Sequence, residues 1–153
     1  MTTICYRDGI MASDSRAYSA STTPIGMKTK IQQFDNGAMV GVSTTKPGLS
    51  ERVFLWAEND FSYEDEPDIE NPSLVMIYVC PDGHVYMAID SYMMTGPLVA
   101  PFYAIGSGNS YAIGAMAFGA SAYQAVAIAI ENDIWSDGDI CTLVHPKFQT
   151  QVV

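Results

Sequence analysis

The chain has 153 residues, 48% of them hydrophobic and 16% charged, a length and balance that predict one domain spanning residues 1–153 around an ordinary core. Seventeen acidic against seven basic side chains give a formal net charge of -10, a field that repels phosphate backbones and anionic membranes, so no nucleic acid and no membrane is expected as a partner. Cys5, Cys80 and Cys141 are too scattered for a disulfide framework and show no metal-ligand spacing, and no run approaches the roughly 18 apolar residues of a membrane span. The N-terminus meets Asp8 and Asp14 before any long apolar run, unlike a signal or transit peptide, and the expectation is a soluble cytoplasmic protein.

In chain order, residues 3–14 place two short β-prone runs around Arg7-Asp8-Gly9, where Asp-Gly is a strong hairpin signal. A Ser/Thr-rich stretch follows from Ala17 to Pro24. Lys30–Phe34 and Ala38–Val42 then flank Asp35-Asn36-Gly37 as a second hairpin. After Lys46-Pro47-Gly48, the apolar positions Leu49, Val53, Phe54 and Ala57 recur at helical spacing, with Ser50 as the expected cap. Residues 58–72 are dense in acidic side chains with no apolar period and read as a solvated loop. Leu74–Cys80 and His84–Ile89 flank Pro81-Asp82-Gly83 as a third hairpin, and residues 93–102 look irregular. Tyr103-Ala104-Ile105 is a strand entering the turn Gly106-Ser107-Gly108, followed by an expected buried helix from Tyr111 to Phe118. Ser121 caps a second helix from Ala122 to about Asn132, and Asp139–Val144 is a closing strand. Blocks of hairpins and helices without β-α-β alternation predict an α+β fold in which antiparallel sheets are covered by helices.

Met1-Thr2-Thr3-Ile4 offers a specific chemistry. A small second residue permits removal of the initiator methionine, and the threonine so exposed carries nucleophile and base together. Its α-amine, with a reference pKa of ~7.7–8.0, can take the proton of its own hydroxyl, the more readily if a nearby cation lowers that pKa. Other features follow in order: Ala12-Ser13-Asp14-Ser15, Lys30-Ile31, Gly106-Ser107-Gly108 and Gly138-Asp139-Ile140-Cys141.

On these residues the chain resembles the bacterial proteasome-like peptidases of the HslV type and, more distantly, the β-subunits of the 20S proteasome. The resemblance covers about residues 2–45 and 103–145. It implies the N-terminal-nucleophile hydrolase fold, with Thr2 as nucleophile, Lys30 as the cation that depresses the amine and hydroxyl pKa values, and Asp14 holding that cation. Ser107 would bond the terminal amine, and backbone N–H groups near Gly41, Val42 and Ser43 would form the oxyanion hole. The implied activity is a threonine-type endopeptidase acting on peptide or unfolded protein, as a homo-oligomeric ring or stacked ring, with no metal or other cofactor. An ATPase partner is compatible with it. Family members usually have two long helices between the second and third hairpins, whereas residues 46–72 hold one short helix and an acidic loop, so the first helical layer is reduced.

Simpler readings stand beside these. Asp14 can cap a turn, Ser107 can be a turn residue, and Lys28, two residues from Lys30, can be the inward cation. Asp133, Ser136 and Asp137 lie where the proteasome supports its terminal amine, without clean register. His84 and His145 read as structural, Cys5 and Cys141 as inert strand thiols, and the acidic run around Glu64 to Glu70 lacks calcium-loop spacing. The rival functions are a non-catalytic assembly protein that keeps the fold, and a small-molecule amide hydrolase using the same site.

Overall fold

Successive strand side chains point to opposite faces of a sheet, and this computed structural model, which describes residues 1–19 and 23–149, has two sheets that bury both of theirs. The first sheet has the order β10-β1-β2-β11, formed by β1 (Ile4–Arg7), β2 (Ile10–Ser13), β10 (Tyr103–Ile105) and β11 (Cys141–Val144), with antiparallel neighbours. The second has the order β5-β6-β7-β8-β9, formed by β5 (Ile31–Gln33), β6 (Met39–Thr44), β7 (Leu74–Val79), β8 (Val85–Ile89) and β9 (Thr95–Leu98). Strands β3 (Arg16–Tyr18) and β4 (Pro24–Met27) pair as a separate ribbon.

The alternation sorts the core into layers. Ile4 and Tyr6 of β1 point inward with Met11, Ile31, Met39, Ile77 and Val79, filling the space between the sheets. Cys5 and Ala12 point the other way, onto helices α2 (Asn109–Ala117) and α3 (Ala122–Asn132), where they meet Ala112, Met116, Ala125 and Val126. On the far side, Val40, Val42, Leu74 and Met76 pack on Leu49, Val53 and Trp56 of α1 (Leu49–Glu58). The small residues of α2 and α3 let the two helices lie close on the first sheet. A short helix α4 (Pro146–Gln149) follows β11. The architecture is α+β, two antiparallel sheets between helical layers, with the layer on the second sheet reduced to α1.

The register of these sheets brings distant residues to one end of the sandwich. Ile4 faces both Ser13 and Ile105, so the segment before β1 meets Asp14 on one side and the Gly106-Ser107-Gly108 turn on the other. Ile31 faces Gly41, which puts Lys30 beside Val42, and the Val42 N–H donates to the Lys30 carbonyl at 3.0 Å.

The structure departs from the sequence reading at three elements and adds a ribbon to it. The ends of the Ser/Thr-rich stretch belong to β3 and β4, whose few residues are too short to show a period; β4 is exposed throughout. The irregular stretch 93–102 contains β9, an edge strand interrupted by Pro97. Helix α1 begins after Gly48, at φ +81° and without a side-chain cap, while Ser50 lies within its first turn. The helix expected to be buried, α2, buries only Ala112 and Met116, because a single sheet covers one of its faces and leaves Tyr111 and Ile113 outward.

Candidate active site

Thr2 stands just before β1, 6% exposed, where the two sheets and the turn after β10 converge. Its N–H donates to Ser107 Oγ at 3.0 Å, and its own hydroxyl donates to the Met1 carbonyl at 2.6 Å. The turn that carries Ser107 can approach this closely only because Gly106 and Gly108 lack side chains. A Cβ on Gly106, which sits at φ +95°, would strike the Thr2 carbonyl, and one on Gly108 would strike the Thr3 hydroxyl.

Lys30 and Asp14 form the charged centre. The ammonium donates to both carboxylate oxygens at 3.0 Å and to the Met1 carbonyl at 3.2 Å, with Asp14 fully buried and Lys30 4% exposed. Asp14 also accepts the Thr3 N–H at 2.9 Å and the Asp137 N–H at 3.1 Å, so its position is fixed from three directions. Burial pushes the Lys30 ammonium below its ordinary pKa, and Asp14 opposes that shift. The amine of Met1 is likewise lowered, first by burial and then by the charge on Lys30. Lys28, the alternative cation, lines the same cleft but is held by other partners than Asp14: its ammonium bonds Ser50 Oγ and Glu51 Oε1, each at 2.7 Å.

A second carboxylate completes the cluster. Asp133 Oδ2 accepts the Ser107 hydroxyl at 2.7 Å and the Ser136 hydroxyl at 2.6 Å, and Ser136 Oγ lies 2.7 Å from Thr3 Oγ1. Ser107 therefore receives the Thr2 N–H while handing its own proton to Asp133. Asp137 instead pairs with Arg16 at 2.9 Å. The turn after α3 delivers Asp133 and Ser136 to the centre without apolar periodicity, and only their place before the last strand hints at it.

Of the three residues considered for an oxyanion hole, Val42 lines the cleft beside Thr2, with its N–H engaged by Lys30. Gly41 lies over Ile4 and Ile77, where a Cβ would crowd both, and Ser43 faces Val75 of β7. Thr44 and Thr45, just beyond, also line the cleft, and the Thr45 N–H has no backbone partner among the described residues.

Elsewhere, His145 is fully buried and its Nε2 lies 2.9 Å from the Cys80 carbonyl. Burial pushes the Cys5 thiol up to about 12, which removes it as a nucleophile near neutral pH. Cys80, Asp82 and His84 bring one ligand atom each within 4.8 Å on the β7–β8 turn, although no pairwise spacing suggested it. There the Asp82 carboxylate bonds both Cys80 and His84, and the Lys147 ammonium sits on the Asp82 carbonyl at 3.1 Å. No helix among the described residues is long and apolar enough to cross a membrane.

No family model and no curated protein matches the sequence. Solved structures do match the fold. HslV from Trypanosoma brucei superposes with a TM-score of 0.68 at 15% identity, over 94% of this chain and 100% of that one. BPH from Thiobacillus denitrificans in complex with epoxomicin gives 0.64 at 17% identity, over 94% of this chain and 96% of that one. BPH from the same organism in a second structure gives 0.61 at 18% identity with the same coverage. The chain has the proteasome-like, HslV-type fold of these structures.

Proposed function

We propose that cleavage of the Met1–Thr2 bond turns Thr2 into the N-terminal nucleophile of an amide hydrolase acting on peptides. The observation that carries this reading is the convergence of Lys30 on Asp14 and on the Met1 carbonyl, which the Thr2 hydroxyl also bonds. In the chain with Met1 attached the Thr2 nitrogen is an amide and no base. Once freed, its amine would remain beside Ser107, whose hydroxyl is oriented by Asp133, and near the Lys30 ammonium, which favours the neutral amine.

The Thr2 oxygen then attacks the substrate carbonyl carbon and its proton passes to the amine. The amine delivers that proton to the leaving nitrogen as the C–N bond breaks, leaving an ester on Thr2. Water, giving a proton to the same amine, attacks the ester, and the threonine oxygen recovers that proton as the acid departs. The Thr45 N–H at the cleft wall is a donor that can face the developing oxyanion. The BPH structure in complex with epoxomicin motivates an epoxyketone as the probe for this site. Thr2, Asp14, Lys30 and Ser107 meet at one centre, which favours the enzyme over a non-catalytic assembly protein.

A homo-oligomer is part of the same proposal. Tyr111, Ile113, Phe118, Tyr123 and Ile128 leave apolar surface exposed along α2 and α3, with Phe118 98% exposed, and a second copy is the partner a symmetric assembly offers. The test of the activity is processing and turnover together: protein beginning at Thr2 should cleave peptide amides, and Thr2→Ala should not. Cleavage by the Thr2→Ala variant at the unmodified rate would refute the assignment.

A further inference from the structure

The cleft beside Thr2 is charged against the grain of the molecule. The chain carries a net charge of -10 with only seven basic side chains, yet four of the seven, Arg16, Lys28, Lys30 and Lys46, line this cleft. No carboxylate lines it among the described residues. The counter-ions are Asp137 for Arg16, Glu51 for Lys28 and Asp14 for Lys30, and none of the three belongs to the lining. Lys46 has no ion-pair partner among the described residues. The N-terminal end of α1 opens on the same wall through Pro47 and Ser50, and Gly48 gives it no side-chain cap, so its positive end adds to the field.

Met1 indicates which part of a substrate would enter. Its carbonyl is bonded by the Thr2 hydroxyl at 2.6 Å, and Met1 itself lines the cleft with Lys28 and Lys46. An acyl group transferred to Thr2 Oγ would leave its side chain in the same region. We propose that this cleft is a carboxylate-binding subsite, with Lys28 and Lys46 as its cations, and that the enzyme cleaves after Asp or Glu. The proposal rests on the hydrolase reading and adds the substrate class to it. The selection is electrostatic: a carboxylate meets the ammonium of Lys46, which has no ion-pair partner among the described residues, and that of Lys28, held at the cleft wall by Ser50 and Glu51, whereas a lysine side chain meets like charge. The overall negative field makes this local reversal the feature that would draw an acidic residue in.

The test uses processed protein and four fluorogenic peptide amides identical except for Glu, Gln, Leu or Lys immediately before the reporter. Glu should exceed the near-isosteric Gln by about tenfold in kcat/KM and Lys by about a hundredfold, with the advantage shrinking as salt is raised. Lys28→Met and Lys46→Met together should bring Glu and Gln together while Leu is still cleaved, which shows that the double variant is folded and catalytic. Leu cleaved as well as or better than Glu overturns the subsite and leaves the hydrolase standing. So does a Glu preference that survives in a double variant with unchanged circular dichroism. Failure of all four peptides, with no epoxyketone adduct on Thr2, overturns both readings.

Discussion

Lys30 does at one atom what the proposed mechanism needs: it lies within 3.2 Å of the carbonyl that joins Met1 to Thr2, and two bonds to Asp14 hold it there. Lys30→Ala should therefore lower kcat and kcat/KM together by roughly two orders of magnitude or more, as expected for a group acting mainly in the transition state. Circular dichroism must stay unchanged, because removing one partner of a buried pair also costs stability, by about 3–5 kcal/mol. Full activity in a folded variant would show that the cation has been misassigned. The same lysine shapes the pH profile. The amine works as a base only when neutral, so the rate should rise with pH through the pKa of the freed Thr2 amine, which the neighbouring Lys30 charge should hold below the ordinary ~7.7–8.0. Lys30 works only when charged and burial lowers its pKa, so activity should fall again below the ordinary lysine value of ~10.4. A kcat/KM profile that climbs without a maximum to pH 11 would contradict the lysine's role. Thr2, Asp14, Lys30 and Ser107 could be named from sequence through the ordered resemblance to the HslV-type peptidases, since Asp14 and Ser107 taken alone read as turn residues. The Asp133–Ser136 relay could not be ordered, since it reaches the site from a turn with no period to count along.

At the scale of elements, the three Asp-Gly or Asn-Gly hairpins were readable because a turn residue with fixed backbone demands separates two alternating runs. They are the turns of β1–β2, β5–β6 and β7–β8. The ribbon of β3 and β4 was not, being three and four residues long. Helix α3 is signalled by Ser121, which forms a capping box with Gln124 in the structure, but the first turn of α1 was misread because Ser50 serves Lys28 instead of the helix end. The turn after β10 carries the sharpest constraint. Gly106→Ala would force a side chain onto φ +95° and into the Thr2 carbonyl. The backbone alone should cost about 1–3 kcal/mol, and relief of the clash must displace Thr2 from Ser107. Urea denaturation should register the loss of stability, with peptide cleavage falling further than stability explains. A variant with unaltered midpoint and turnover would mean that the turn does not fix the nucleophile.

For the whole molecule, the α+β class with antiparallel sheets covered by helices followed from the order of blocks, and the layering of those sheets between helices from the resemblance. What the sequence could not rank was the fate of the α2–α3 surface, because periodicity shows that a residue is apolar without saying which partner covers it. Sedimentation at micromolar concentration should find a homo-oligomer, and Phe118→Asp with Tyr123→Asp should shift it toward smaller species; a wild-type monomer would contradict the assembly. The central claim, that Thr2 is a free N-terminal nucleophile, has a more direct test. An epoxyketone closes a ring only on a residue that offers both a hydroxyl and a free α-amine, so it reports both halves of the mechanism at once. Intact mass spectrometry before and after treatment should show a chain lacking Met1 and then one stoichiometric adduct, absent from Thr2→Ala. Retention of Met1 throughout functional protein, or an adduct that persists in Thr2→Ala, would contradict the account.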